Sequence, residues 1–373
     1  MLDTSEIAID DNWIALLSFL PAGWQGKAKE LKALSRIRCF ADAEGLLRVL
    51  MIHLATGHSL RTTAALAREG GLANISDVAL FKRIKLSGDW FLWMAQEMRK
   101  KWLMDIEKEF HPGLRVRAVD ATTVKEPGIR GATWRIHYSL QLETLSCDEV
   151  HVTSEKKGES FVNFSVQNGD VFIADRGYCT SPGISYISNN KGYVVTRVRS
   201  ALPLFDDQRN KFCILDHVQG LTQGKIRNFD LLIKNENEYL PCRVCVVRKS
   251  KEAIEKSKDA VLKRANSKGQ RLRPETLKYA EYIIILSTLP FDFTNERIME
   301  LYRQRWQIEL VFKRLKSLLG LGHLRKQDAE SARTWLHGKL FVAMLLEVFI
   351  RAGEVFFPWG YPLTLAETKK SLA

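Results

Sequence analysis

Two short apolar runs in this chain each end on an aspartate. "RVRAVD" closes at Asp120 and "VFIAD" closes at Asp175. Both have the length and composition of buried strands. A carboxylate at the end of a buried strand is costly to leave unpaired. In an open sheet such strand ends gather at one edge, where ligands bind. The chain is thereby constrained to a sheet with acids along one edge. "WRIHYSLQLE" alternates, with Trp134, Ile136, Tyr138 and Leu140 on one face, and "EVHVTSE" and "GYVVTRV" add short strands. Three strands at hairpin-like spacing, then one reached by a crossover, predict a mixed sheet. His137 fits a packed strand better than a catalytic neighbour, and the roles of Trp134 and Arg135 stay open.

A third acid lies on a late helix. "YRQRWQIELVFKRLK", residues 302–316, has helical periodicity, and Thr294 or Asn295 can cap the helix that contains it. On a helical wheel Ile308, Val311, Phe312, Leu315 and Leu319 form a core stripe. Tyr302, Arg305, Trp306, Glu309, Lys313 and Lys316 form a second stripe within about a quarter-turn beside it. A solvated face built on Arg305–Glu309 and Glu309–Lys313 pairs accounts for the charges. It leaves the two aromatics unexplained.

Charge narrows the partner. The chain has 373 residues, is 46% hydrophobic and carries a formal net charge of +13. It can bury large cores in two or three domains, and its excess of cations points to a polyanion. Nothing reads as a signal peptide, and the apolar run "LFVAMLLEVFI" is too short to span a membrane and carries Glu347. Nucleic acid is therefore the expected partner, with no membrane. The six cysteines form no disulfide framework, and the lone CxxC at Cys242 and Cys245 sits in a strand-like run that would point them to opposite faces. A reducing cytoplasm fits.

Residues 1–110 read as helical. "DAEGLLRVLMIHLATG" ends on a glycine C-cap signal. Ser59 can cap a helix through Arg68, Gly70–Gly71 breaks it, and Ser76 or Asp77 can cap the next, which carries Lys82 and Arg83. This spacing is compatible with a helix-turn-helix, which makes Lys82 and Arg83 candidate DNA contacts. Residues 200–290 mix strands with a very basic, helical-looking segment.

Three clustered carboxylates repel one another unless a cation sits among them. Mg²⁺ suits an all-oxygen site beside phosphates, with Mn²⁺ as the alternative. Each acid taken alone is more simply an N-cap, a turn residue or half of a salt bridge.

Taken in order, these motifs resemble those of IS4-type insertion-sequence transposases with an RNase H-like DDE core. Tyr302, Arg305, Glu309 and Lys316 match that family's Y-x2-R-x3-E-x6-K signature with its intervals intact. "DRGY" at 175–178 is similar to the second acidic motif, and "DATTVKEPG" with "WRIHYS" to the region of the first. The likeness runs from about residue 59 to 345. It implies that Asp120, Asp175 and Glu309 bind the metal and are catalytic. It implies that Tyr302, Arg305 and Lys316 contact phosphates near the cleaved end, with Trp306, Lys313 and Arg176 as further DNA contacts. The 309 − 175 = 134 positions between the last two acids match a β-rich insertion.

The expected plan has four parts. These are a helical DNA-binding domain at 1–110, a first part of an α/β, RNase H-like core at 111–194, a β-rich insertion at 195–290, and the rest of the core with C-terminal helices at 291–373. The implied partners are terminal inverted repeats and target DNA, bound by a homodimer in a synaptic complex on nucleoid DNA. The implied activity is two-metal cleavage followed by transfer of the 3′-hydroxyl end, through a hairpin intermediate. The rivals are an RNase H-like nuclease without strand transfer and a helix-turn-helix regulator.

Overall fold

The structure is a computed structural model that describes residues 13–34, 39–103, 113–125, 133–267, 269, 271–272, 274–317, 320 and 329–355. Helices come first: α1 (Trp24–Glu30), α2 (Ala43–Thr56), α3 (Leu60–Glu69), α4 (Asp77–Leu86) and α5 (Gly88–Leu103). Strands β1 (Arg115–Val124), β2 (Trp134–Gln141), β3 (Ser146–Ser154) and β4 (Asp170–Ala174) follow. Next are α6 (Ser181–Asn189), β5 (Tyr193–Arg197), β6 (Leu204–Phe205), β7 (Lys211–Phe212), β8 (Ile226–Asn235) and β9 (Glu238–Arg248). The chain continues with α7 (Lys251–Ser267), α8 (Pro274–Tyr279), β10 (Tyr282–Ser287), α9 (Asn295–Arg303), α10 (Trp306–Ser317) and α11 (Ala329–Val355). Two compact units divide it: residues 1–106, 124–134 and 314–373, and residues 107–123 and 135–313.

The first unit is helical in most of its described parts. Asp42, Ser59 and Ser76 each accept a backbone N–H and start α2, α3 and α4, as their side chains predict. Gly57, with φ at 73°, takes the left-handed conformation that ends α2. Trp24, Trp90, Phe91 and Phe341 stack in series with centroids 5.7–6.1 Å apart. The apolar run "LFVAMLLEVFI" lies within α11, where Leu340, Phe341 and Met344 are buried. No helix among the described residues is long and apolar enough to cross a membrane.

The second unit is a mixed α/β layer. Its sheet has the order β3-β2-β1-β4-β5-β10-β9-β8-β6-β7. β1, β4 and β5 run parallel, and β10 returns antiparallel to β5. This agrees with the mixed sheet expected from the sequence, and the first five strands are consistent with an RNase H-like core. The sequence sets residues 195–290 apart as a separate lobe. In the structure Val195 sits in mid-strand, paired with Ile173 on one side and Ser287 on the other. The later strands extend the same sheet because β10 takes up the hydrogen-bonding edge of β5. Cys242 and Cys245 are both buried free thiols, since β9 is an interior strand of the sheet.

The helix expected across 302–316 is broken. Gln304, Arg305, Gln307 and Ile308 donate backbone N–H groups three residues back rather than four, which tightens the chain between α9 and α10. The break rotates Tyr302 and Arg305 away from their places on a straight wheel. Ile308, Phe312 and Leu315 are buried as expected, and Phe312 meets Tyr138 of β2 edge-on at 5.9 Å. Leu319 lies outside the described residues.

Candidate active site

The sheet register sets Asp120 and Asp175 side by side. Val119 pairs with Ala174 in the parallel β1–β4 ladder, so the two aspartates are the next residues on neighbouring strands. The sequence reads Asp120 as closing its strand, but β1 runs on to Val124, so it is the β1–β4 ladder and not β1 that ends there; only Asp175 follows the end of its strand. Neither does an ordinary structural task. Asp175 heads a short 3₁₀ turn, Arg176–Tyr178, but its side chain does not cap it. Asp120 accepts the N–H of Ala121, its own neighbour, at 2.8 Å. Thr196 on β5 donates to the carbonyl oxygens of Ala174 and Asp175, which fixes the backbone that carries Asp175. Burial pushes the Asp120 carboxyl up to about 6; Glu159 and Asp175 push the same way, while the Ala121 N–H and Arg305 oppose them.

Helix α9 packs on β4, β5 and β10 and brings the third acid's neighbourhood to this edge. The Tyr302 hydroxyl donates toward Asp175 Oδ1 at 3.5 Å. Arg305 lies 5.9 Å from the Tyr302 ring centre and donates to Glu309 Oε1 at 2.6 Å. Asp120, Asp175, Tyr302, Arg305 and Glu309 thus form one connected neighbourhood. The Arg305–Glu309 pair of a solvated helix face is therefore present. It also turns the Glu309 carboxylate toward a cation already in the chain. As the side chains stand, no three His, Cys, Asp or Glu groups among the described residues converge closely enough to hold a metal ion.

The other candidates divide by exposure. Trp306 is 57% exposed, so it plugs no core. Lys313, Lys316 and Lys82 are also exposed, and Arg83 is half-buried. Arg176 reaches solvent and lines a recess with Arg197, Ser200 and Tyr279. Partial burial and then the neighbouring Arg197 disfavour the charge on Arg176. Burial, then Arg197 and Arg176, push the Lys249 ammonium down to about 8. His137 is buried, bonded to Thr153 and Asn163, and held down to about 4 by burial and Arg135. It is a packed strand residue.

Three residues near the site are absent from the candidates that the sequence offers. Arg197 ends β5 one position beyond Thr196, which pairs with Ala174. The feature that marks Asp120 and Asp175 in the sequence, a charged residue closing a short strand-like run, marks Arg197 as well. Glu159 and Tyr178 are different. Glu159 lies in a loop with no periodicity, and only the fold sets its carboxylate over the backbone of Gly177. Tyr178 belongs to the "DRGY" motif, but its burial beside the acids leaves no mark in the sequence.

Known proteins resemble the chain along most of its length. The family model described as "Transposase DDE domain" matches residues 111–345. InsL, the transposase named for insertion sequence element IS186A of Escherichia coli (strain K12), is 32% identical over 93% of this chain and 96% of its own. The transposase for IS421 of Escherichia coli is 32% identical over the same shares. A transposase for IS231F of Bacillus thuringiensis subsp. israelensis is 23% identical over 48% of this chain and 42% of its own.

Proposed function

The chain belongs to the DDE transposase family, an enzyme family, and from that premise we propose that it excises and inserts the DNA of an insertion sequence at the site formed by Asp120, Asp175 and Glu309. One observation carries this assignment. Two aspartates stand side by side where the β1–β4 ladder ends, in no ion pair among the described residues and with no capping task, beside the Tyr302–Arg305–Glu309 group.

The donor set fits a divalent cation. Asp120, Asp175 and Glu309 offer only hard carboxylate oxygens, the choice of Mg²⁺ or Mn²⁺. Burial holds the Asp120 carboxyl up at about 6 in spite of Arg305, and a bound cation would favour its charged form. When bound, such ions activate the attacking oxygen and stabilise the leaving one during displacement at phosphorus. Glu309 joins the set once a DNA phosphate takes Arg305 from it.

The surrounding side chains position DNA. Arg305 is an arginine whose fork suits a phosphate. Tyr302 orients Asp175 and offers its hydroxyl to the same strand. Trp306, exposed on the first turn of α10, can stack on a base. Lys313 and Lys316 add charge along the strand, and Arg176 with Arg197 offers a further phosphate cradle. Lys82 and Arg83 on α4 contact the terminal inverted repeats. In the first reaction water attacks phosphorus and the 3′-oxygen leaves, giving a 3′-hydroxyl and a 5′-phosphate. In the second, that hydroxyl attacks a phosphodiester of the opposite strand and expels the flanking 3′-oxygen, forming a hairpin; water then attacks the hairpin phosphodiester and frees the 3′-hydroxyl again, which attacks a target phosphodiester and expels a target 3′-oxygen. A homodimer would hold both ends in one synaptic complex.

The test is a strand-transfer assay with the element's own ends, target DNA and Mg²⁺. Joined product supports the assignment. Cut ends without joined product would make the protein an RNase H-like nuclease instead. Binding without cutting would favour the helix-turn-helix regulator.

A further inference from the structure

The β4–β5 ladder ends at the pair Ala174–Thr196. Asp175 is the next residue, so its carbonyl oxygen lies past the last paired position. Two groups take it up. The Tyr178 N–H donates to it at 3.1 Å and closes the Arg176–Tyr178 turn. The Thr196 hydroxyl donates to it at 3.2 Å and shares the same hydrogen with the Ala174 carbonyl, also at 3.2 Å. The Asp175 carbonyl thus has a donor for each of its two lone pairs, one from its own turn and one from the neighbouring strand.

Thr196 is fully buried, paired with Ala174 on one side and with Leu286 of β10 on the other. A threonine is an ordinary strand residue, and packing alone would explain it. Its neighbours Val194 and Val195 are buried valines, however, and valine has the same branched shape without a polar atom to satisfy. What the hydroxyl adds is its hold on two successive carbonyls, one of them that of Asp175. Branching at Cβ restricts the threonine rotamer, so the hydroxyl is a fixed point. Holding the carbonyl fixes the peptide plane that follows Asp175, and with it the direction in which the carboxylate leaves the backbone. The Tyr302 hydroxyl of α9 meets that carboxylate at 3.5 Å. A reacting group displaced by about 1 Å can lose a hundredfold in rate.

We propose that Thr196 is a positioning residue for the reaction: its hydroxyl holds the Asp175 backbone so that the carboxylate points to where phosphorus is attacked. The proposal rests on the assignment of Asp175 to the active site. Thr196, buried within the sheet, acts through Asp175 alone. The two roles open to this side chain call for opposite substitutes. As packing, it is replaced better by valine than by serine, which lacks the methyl group. As a hydrogen-bond donor, it is replaced by serine and not by valine.

The test is single-turnover cleavage of the element's own ends by the purified full chain with Mg²⁺. The maximal rate and the protein concentration at half-saturation are read separately, at matched folded protein from circular dichroism. Thr196→Val should lower the maximal rate by about a hundredfold and leave half-saturation within about twofold, the pattern of a group needed in the reaction rather than in binding. Thr196→Ser should keep the maximal rate within about threefold of wild type, because it restores the donor. A Thr196→Val rate equal to wild type, or equal losses in the two variants, would make Thr196 a packing residue and overturn the proposal. If Thr196→Val fails to fold, Thr196→Ala and Thr196→Ser carry the same comparison, since they lack the same methyl and differ only in the hydroxyl. Serine should then be faster than alanine by about tenfold or more, and equal rates overturn the proposal. Asp175→Asn separates this role from the site itself. If it abolishes cleavage while Thr196→Val cleaves as wild type does, the role of Thr196 falls and the site stands. If Asp175→Asn cleaves normally, or wild type does not cleave, both fall.

Discussion

The two ends of the β1–β4 ladder are built from the same kinds of residue to opposite purposes. At the starting end, Arg117 is 1% exposed and bonded to Asp148, Glu149, Asp170, Ser139 and the Ser165 carbonyl, with its guanidinium 4.5 Å from the Phe172 ring centre. Arg115 adds a bond to Asp170 at 2.6 Å. Asp148, Glu149 and Asp170 each meet an arginine there. At the finishing end, Asp120, Asp175 and Glu159 belong to no ion pair among the described residues, and Arg305 is committed to Glu309. Buried charges that are balanced hold a fold in one arrangement. At the finishing end Asp175 and Glu159 are exposed to solvent and Asp120 is half-buried, so water rather than a partner charge meets them and leaves them open to a ligand.

The largest difference should appear in activity. Asp120→Asn, Asp175→Asn and Glu309→Gln should each lower cleavage by roughly a thousandfold or more while the protein folds and binds terminal repeats. Normal cleavage by any of them, in a gel assay at matched folded protein, would remove that residue from the site. Arg117→Met should do the reverse. It removes a cation shared by three interior carboxylates and should cost about 3–5 kcal/mol of stability in urea unfolding. Activity per folded molecule should hold, and a selective loss of activity would break the division between the two ends.

Stability against pH should distinguish the ends by sign. Burial alone would raise the Glu149 carboxyl, but hydrogen bonds from His151, Arg117 and Ser165 outweigh it and hold the group near 2. Its folded value lies below its unfolded one. Its contribution is therefore full above about pH 5 and is lost as pH falls toward 2. Asp120 is raised to about 6, so the folded state holds its proton more tightly and stability declines as pH rises from about 4 to 6. Glu149→Gln should flatten the acid limb of a melting-temperature profile. Asp120→Asn should instead gain roughly 1–3 kcal/mol on wild type at pH 8 and nothing at pH 3. Equal curves for both variants would show that the ends do not differ electrostatically. The smallest effect belongs to Trp306→Ala. It should weaken end binding by about 1–3 kcal/mol without changing its salt dependence, because stacking releases no counterions. Its melting temperature should match wild type, since the side chain is 57% exposed.

Much of this contrast is legible in the order of the residues alone. The caps at Ser59, Ser76 and Thr294 follow from side chains that bond their own helix starts, a local effect. That Asp175 follows its strand is legible in an apolar run that stops at an acid, whereas the run before Asp120 does not show that β1 continues to Val124. The break near Arg305 is not legible. The helical pattern runs unbroken through 302–316, with no proline or glycine to mark a turn. Nor is the continuity of the sheet through Val195, because a strand's pairing partner on a distant segment leaves no local trace.

The sequence by itself determined the kinds of group available: three acids in order, an excess of basic residues, aromatics beside arginines, and apolar runs that lead up to an acid. Those properties are carried by residue type and short-range periodicity. Only the tertiary structure decided which charges would be neutralised. Arg117 meets Glu149 across 32 positions of chain, and Arg115 meets Asp170 across 55. Asp120, Asp175 and Glu159 meet no such partner among the described residues. Pairing depends on distances of a few ångströms between segments far apart in sequence, and those distances are set by strand register and packing rather than by any residue's neighbours.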